Sequence, residues 1–287
     1  MNSKVEEIHH LFPEEKVDNN KSQIIYHYTD YGALENILIK KHIRLTSFRQ
    51  LNDFSDGRLL FEKVLEHLEL SKREKIKIKL KILFKEIFED AYCASFCGFG
   101  NKLSQWCAYG NVNIGFDYQQ LNNDRHFIID KENVKLYTSG LFFDKCKYLD
   151  PTDTQIIREK VDHLLNKFSD LEDANLENEN ILQYQALKLG LFLFSQKHIS
   201  FFEESEYRVV HFRWKVLPFE NNSNNKLFIK LPFNEKAVKR IVIGPSKEQE
   251  VIKNRIILFL ENKSSDYSHV EVVKSKIPFL GVYNSNK

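Results

Sequence analysis

Three short segments carry residues whose types and spacing suit chemistry. In Ile24-Ile25-Tyr26-His27-Tyr28-Thr29, His27 and Thr29 lie two apart, so on a strand they point to the same side. His27 reads either as a satisfied, partly buried strand residue or as a ring that holds a ligand hydroxyl. In Phe201-Phe202-Glu203-Glu204-Ser205-Glu206-Tyr207-Arg208-Val209-Val210, Glu204, Glu206 and Arg208 repeat at a spacing of two and share one strand face. Two neighbouring carboxylates can stabilise positive charge that develops in a transition state. The same spacing lets Glu206 pair with Arg208, an arrangement that serves structure alone. Trp106 and Tyr109 lie three apart on an expected helix, hence on one face. The expectation is a core role for one ring and a ligand contact for the other. No Gly-rich phosphate loop, no Gly-x-Ser-x-Gly and no His-x-x-x-His pair occurs. Rossmann, P-loop and elbow-type serine hydrolase chemistry therefore have no support, and no metal site is expected.

These residues need elements to position them. The chain has 287 residues, 42% hydrophobic and 13% aromatic, which suffices for a sizeable core. Its 42 basic and 40 acidic residues leave a net charge of +2, which argues against a dominant nucleic-acid or membrane field. No run of about 18 apolar residues suggests a membrane span, and the polar start Met1-Asn2-Ser3-Lys4 lacks the apolar stretch of a signal peptide. The expected location is the cytoplasm, with Cys93, Cys97, Cys107 and Cys146 as reduced, buried thiols. Strands are expected over residues 24–29, 43–48, 91–97, 112–118, one or two within 134–148, 237–244 and 270–274. The runs 206–216 and 226–232 bracket a polar turn and suggest a hairpin. Helices are expected over 31–41, twice within 58–90, around Trp106, over 154–195 with a solvated break near 171–180, and over 247–261. The lysines of 75–81 read as a solvated helix face or a phosphate contact. The result is an α+β fold with a mainly antiparallel sheet core. A polar arm (residues 1–22) precedes a single domain (23–287) with helical insertions near 58–90 and 154–195.

Residues 24–280 resemble the bacterial family known as domain of unknown function 2971. The resemblance rests on Tyr26-His27-Tyr28-Thr29, Leu51-Asn52-Asp53, Ser95-Phe96, and Ser104-x-Trp106-x-x-Tyr109-Gly110. It continues through Ile114-Gly115-Phe116-Asp117, Lys197 to Phe202, Glu204-x-Glu206-Tyr207-Arg208 and Ile241-x-Ile243-Gly244. The loop after Asp53 departs from the family, which continues with Pro and an acidic residue where this chain has Phe54-Ser55-Asp56. More distantly, residues 24–47 and the Glu-x-Glu are similar to ADP-ribosyltransferases. That likeness implies an ADP-ribosyltransferase-like fold with NAD as substrate. It implies Glu206 as the carboxylate that stabilises the ribosyl cation and holds the 2′-hydroxyl, Glu204 as its partner toward an acceptor, and His27 on the ribose. The implied cofactor-binding set is His27, Tyr28, Thr29, Ser95, Trp106, Tyr109 and Arg208. Transfer to a nucleic acid or protein acceptor, or hydrolysis of NAD, in phage defence or a toxin system, is the activity implied. The rival class is a non-catalytic sensor or antitoxin that binds a nucleotide or partner, with a metal-free nuclease a weaker third. The transferase reading expects His27 and Glu206 on adjacent or nearly adjacent strands, facing one cleft, and side chains on opposite faces of the sheet would end it.

Overall fold

The computed structural model describes residues 23–51, 53, 55–124, 141–213, 220–221, 227–262 and 266–279. The N-terminal arm lies outside them.

The chain opens with β1 (Ile24–Thr29), α1 (Tyr31–Lys40) and β2 (His42–Ser47), then a 3-10 turn at Phe48–Gln50. Next come α2 (Leu59–Leu70), α3 (Glu74–Asp90), β3 (Ala91–Cys97), α4 (Leu103–Tyr109), β4 (Val112–Asp117) and α5 (Tyr118–Asp124). The middle holds β5 (Leu141–Lys145), β6 (Lys147–Leu149), α6 (Thr154–Lys167), α7 (Glu179–Phe194) and β7 (Gln196–His198). A 3-10 turn (Ile199–Glu204) leads into β8 (Glu206–Phe212), then β9 (Glu220–Asn221) and β10 (Leu227–Pro232). A 3-10 turn (Glu235–Ala237), β11 (Val238–Ile243), α8 (Gln249–Asn262) and β12 (Glu271–Lys274) close the described chain.

Three helices begin at a side-chain cap. Asp30 caps α1 by accepting from the Ala33 amide (2.8 Å), Asp153 caps α6 and Asn178 caps α7. The lysine-alternating run 75–81 is helical because Ile76, Leu80, Leu83 and Ile87 form one buried stripe. Its lysines do not all face solvent. Lys79 Nζ donates to the carbonyls of Leu171, Glu172 and Ala174. The stretch read as a solvated loop is therefore pinned to α3, with Leu171 fully buried.

Ten strands form a mixed, mainly antiparallel sheet along the path β12-β11-β4-β1-β3-β2-β10-β9, with β8 on β3 and β5 on β8. Only β11–β12 and the separate β6–β7 pair run parallel among the described residues. The hairpin expected from 206–216 and 226–232 does not form. Both edges of β8 are occupied, by β3 and β5, and β10 pairs with β2 and β9 instead.

Two facts about β3 and β8 position the site. Their side chains alternate between two cores. Tyr92, Ala94, Phe96, Tyr207 and Val209 join the layer of α1 and α8, whereas Ala91, Cys93, Val210 and Phe212 join the layer of α2, α3, α6 and α7. The edge of β3 opposite β8 is also shared between two strands. It meets β1 at Cys97 and β2 at Tyr92 and Cys93. Ala94, Ser95 and Phe96 have no ladder partner there, so the sheet splits between β1 and β2.

Candidate functional site

A cavity of about 300 Å³ lies at this split. His27 and Tyr28 come to it from β1, Arg44 and Thr46 from β2, and Ser95 from β3. Gln105 and Tyr109 reach it from α4, Asp53 and Asp56 from the loop after β2, and Lys197, Phe201, Glu204, Glu206 and Arg208 from β7 through β8. Seven of the nine residues singled out by sequence thus meet at one cavity. Thr29 and Trp106 do not line it.

Trp106 is fully buried, edge-on to Tyr28 at 4.5 Å between centroids, with Nε1 donating to Asn101 Oδ1. Tyr109, one helical turn on, is 47% exposed and lines the cavity. The helix that carries both is set against β1 at Gly110, whose φ is +134°. A Cβ there would stand 2.5 Å from the Thr29 carbonyl oxygen, so only glycine fits. Thr29 is buried beneath this contact.

Glu204 and Glu206 do not share a strand. Glu204 ends the 3-10 turn, Ser205 takes a left-handed conformation (φ +43°), and β8 begins at Glu206. Lys197 joins them across this break, its Nζ lying 2.6 Å from both Glu204 Oε2 and Glu206 Oε2. Glu206 is 1% exposed and receives further bonds from Ser95 Oγ (2.5 Å), Arg208 Nε (2.8 Å) and Arg208 Nη2 (3.0 Å). Burial alone would raise its carboxyl. Arg208 and Lys197 outweigh that and hold it down at about 2.

Arg208 is equally buried. Nη2 also reaches both oxygens of Asp56 (3.1 and 3.2 Å), and Nη1 donates to the Phe194 carbonyl (3.2 Å). The ion pair between Glu206 and Arg208 that strand spacing allowed is present, extended into the chain Asp56–Arg208–Glu206–Lys197–Glu204. Asp56 is pushed up to about 6, first by burial, against the pull of Arg208 and with the nearby Glu206 adding to the rise. Asp53 Oδ1 accepts from the Ser55 amide and hydroxyl, while its buried Oδ2 has no partner among the described residues.

The relation of His27 to Glu206 departs from the sequence expectation. One strand, β3, separates β1 from β8. Register pairs Tyr26 with Cys97 and Cys97 with Glu206, so Tyr26, not His27, shares the Glu206 side of the sheet. His27 stands with Phe96 on the opposite side, 5.7 Å between ring centroids. It borders the cavity through the split, where Nδ1 lies 3.3 Å from the Ser95 carbonyl oxygen. Burial lowers the His27 imidazole, against the upward pull of that carbonyl.

Sequence reasoning assigned no role to Lys197, Asp56, Asp53, Arg44, Phe201 or Gln105. Two of their segments, Leu51-Asn52-Asp53 and Lys197 to Phe202, were visible only as motifs, and Asn52 lies outside the described residues. Of the four thiols, Cys93, Cys97 and Cys146 are buried and Cys107 is exposed. Among the described residues no group of three or more His, Cys, Asp or Glu is arranged to hold a metal ion, and no helix is long and apolar enough to cross a membrane.

Residues 105–209 match the family described as Protein of unknown function (DUF2971). The match spans the α4 aromatics and the Glu-x-Glu segment and stops short of β1, supporting the central part of the resemblance drawn from sequence. No curated protein and no solved structure matches the chain.

Proposed function

We propose that the chain is an enzyme that binds the nicotinamide riboside end of NAD in the split-sheet cavity and breaks its glycosidic bond, with a site that does not follow the transferase resemblance, because His27 and Glu206 lie on opposite faces of the sheet. The observation that supports this is the convergence of Tyr109, Ser95 and the two carboxylates on one cavity of about 300 Å³, the lower end of the usual ligand-pocket range. The lining carries four carboxylates (Asp53, Asp56, Glu204, Glu206) against three cations (Arg44, Lys197, Arg208). That balance suits a group on which positive charge develops. In the reaction the bond from ribose C1′ to the nicotinamide nitrogen breaks, and its electron pair leaves with nicotinamide. A water or acceptor oxygen then bonds to C1′ and loses its proton to solvent. Tyr109 offers a flat face to the nicotinamide ring.

A second reading is favoured by one observation. Glu206 already receives four donors on two oxygens, which leaves it no free lone pair for a ribose. In that reading the cavity binds a nucleotide or partner without cleaving it, as a sensor or antitoxin would. Nicotinamide release by the purified protein, followed by chromatography, separates the two. Release above the rate of spontaneous NAD breakdown supports the NAD-cleaving reading. Saturable NAD binding without release supports the binder, and neither binding nor release removes NAD from consideration.

A further inference from the structure

The carboxylate pair is not symmetric, and the asymmetry assigns roles. Glu206 is enclosed, and its two oxygens accept from Ser95 Oγ, Lys197 Nζ, Arg208 Nε and Arg208 Nη2. Glu204 accepts from Lys197 on Oε2, and among the described residues no donor meets Oε1. Its side chain is 20% exposed and borders the cavity beside Phe201. A carboxylate with a free oxygen can accept a ligand hydroxyl or face a developing cation. One with every lone pair engaged can do so only by breaking a buried, charge-assisted bond.

Lys197 is the link. Its side chain is 7% exposed, and its ammonium bonds both carboxylates at 2.6 Å and lies 4.7 Å from the Phe201 ring centroid. Without it, Glu204 would sit at the end of a short 3-10 turn with no other hydrogen bond to its carboxylate among the described residues. Lys197 is fixed in turn through Glu206, which Arg208 anchors, and Arg208 is anchored by Asp56. Ser205, left-handed between the carboxylates, turns Glu204 out of the β8 ladder and toward the cavity. The chain of charges therefore runs from a buried, saturated end to an open end.

We infer that Glu204 is the carboxylate that touches the ligand, and that Glu206 and Lys197 are positioning residues that hold it there. This reverses the order that the transferase resemblance implies and rests on the nucleotide reading only for the identity of the ligand.

The inference has a test that needs no ligand. Brief labelling of the folded protein with a water-soluble carbodiimide and glycinamide, followed by mass spectrometry, reads the reactivity of each carboxyl. Glu204 should label and Glu206 should not. Labelling of Glu206 with Glu204 protected overturns the assignment. In parallel, nicotinamide release and thermal melts are measured on Glu204→Gln, Glu206→Gln, Lys197→Met and Lys197→Arg. Glu204→Gln should melt with the wild type and lose release roughly 100-fold, the size usual for one preorganised charged group, in kcat rather than KM. Glu206→Gln should melt earlier. Lys197→Met should lose release, and Lys197→Arg, which keeps the cation, should recover part of it. Wild-type release by a folded Glu204→Gln overturns the inference. If the wild type itself releases no nicotinamide, the NAD reading fails alone, and labelling still decides between the carboxylates.

Discussion

Arg208 donates from all three guanidinium nitrogens, to Glu206, to Asp56 and to the Phe194 carbonyl. A planar fork makes these directions simultaneous, and a lysine could not. Of this network only the i,i+2 relation of Glu206 to Arg208 was legible in the sequence. Asp56 lies 152 positions from Arg208, and nothing local in Asp53-Phe54-Ser55-Asp56 announces an ion pair. The burial of Glu206 was hidden too, because a strand-end carboxylate looks exposed until its neighbours are placed. Replacing Glu206 by Gln keeps its shape but leaves Arg208 and Lys197 short of one buried counter-charge. The expected cost is about 3–5 kcal/mol, read as a lower urea midpoint, and an unchanged midpoint would show that the pair adds no stability. Asp56 gives a prediction in pH. Its folded-state carboxyl is raised from 3.8 to about 6, so the folded state binds this proton more tightly than the unfolded chain. The contribution of Asp56 to stability is thus fullest below about pH 4 and declines as pH rises through about 6. Asp56→Asn cannot titrate. Its melting temperature should gain on the wild type between pH 4 and 7, and a difference that is flat across this window would refute the raised carboxyl.

At the scale of elements, the sequence showed the periods well and the partners poorly. Strands β1, β3 and β11 and helix α3 follow from apolar spacing, and α6 and α7 also begin at Asp or Asn caps. Glu204 was misplaced on the strand face of Glu206, because Glu-x-Glu is compatible with a strand and only the left-handed Ser205 ends the turn before β8. The hairpin was misread for another reason. Turn residues between two β runs indicate reversal of the chain but not which edges are already occupied. Helix α4 was legible in its division of labour, since one aromatic of an i,i+3 pair faces the core and the other the cavity. The two rings should respond differently to truncation. Trp106→Ala opens a large hole beneath Tyr28 and Gly244 and should cost about 3–5 kcal/mol. Tyr109→Ala removes a half-exposed ring, should leave the melt within about 0.5 kcal/mol of wild type, and should weaken NAD binding in a titration. Equal destabilisation by both substitutions would mean that α4 packs on both rings and that Tyr109 is core.

Across the whole molecule, the site depends on a sheet that two helical layers share. Strands β3 and β8 contribute alternate side chains to each core, so neither layer can loosen without exposing one face of the same two strands. Arg208 spans the boundary. Its strand is buried on both sides, while its guanidinium ties the loop after β2 and the C-terminal end of α7 to the carboxylates. Helices α2, α3, α6 and α7, which in sequence look like insertions into an α+β domain, form the floor beneath this network. Their removal would expose Ala91, Cys93, Val210 and Phe212 together. A substitution deep in the helical layer should therefore act on the entire molecule. Leu83 is fully buried on α3, and Leu83→Ala should destabilise by about 2–5 kcal/mol. Urea unfolding followed by far-ultraviolet circular dichroism and by tryptophan fluorescence should move to lower midpoints together, with the two curves coincident. In a Trp214→Phe background Trp106 is the one tryptophan left, and it reports from a cluster with Tyr26 and Tyr28 that is separate from the core of α2 and α3. A helical signal lost before its fluorescence changes would mean that the helical layer unfolds on its own, and that the network of Arg208 can open without the sheet.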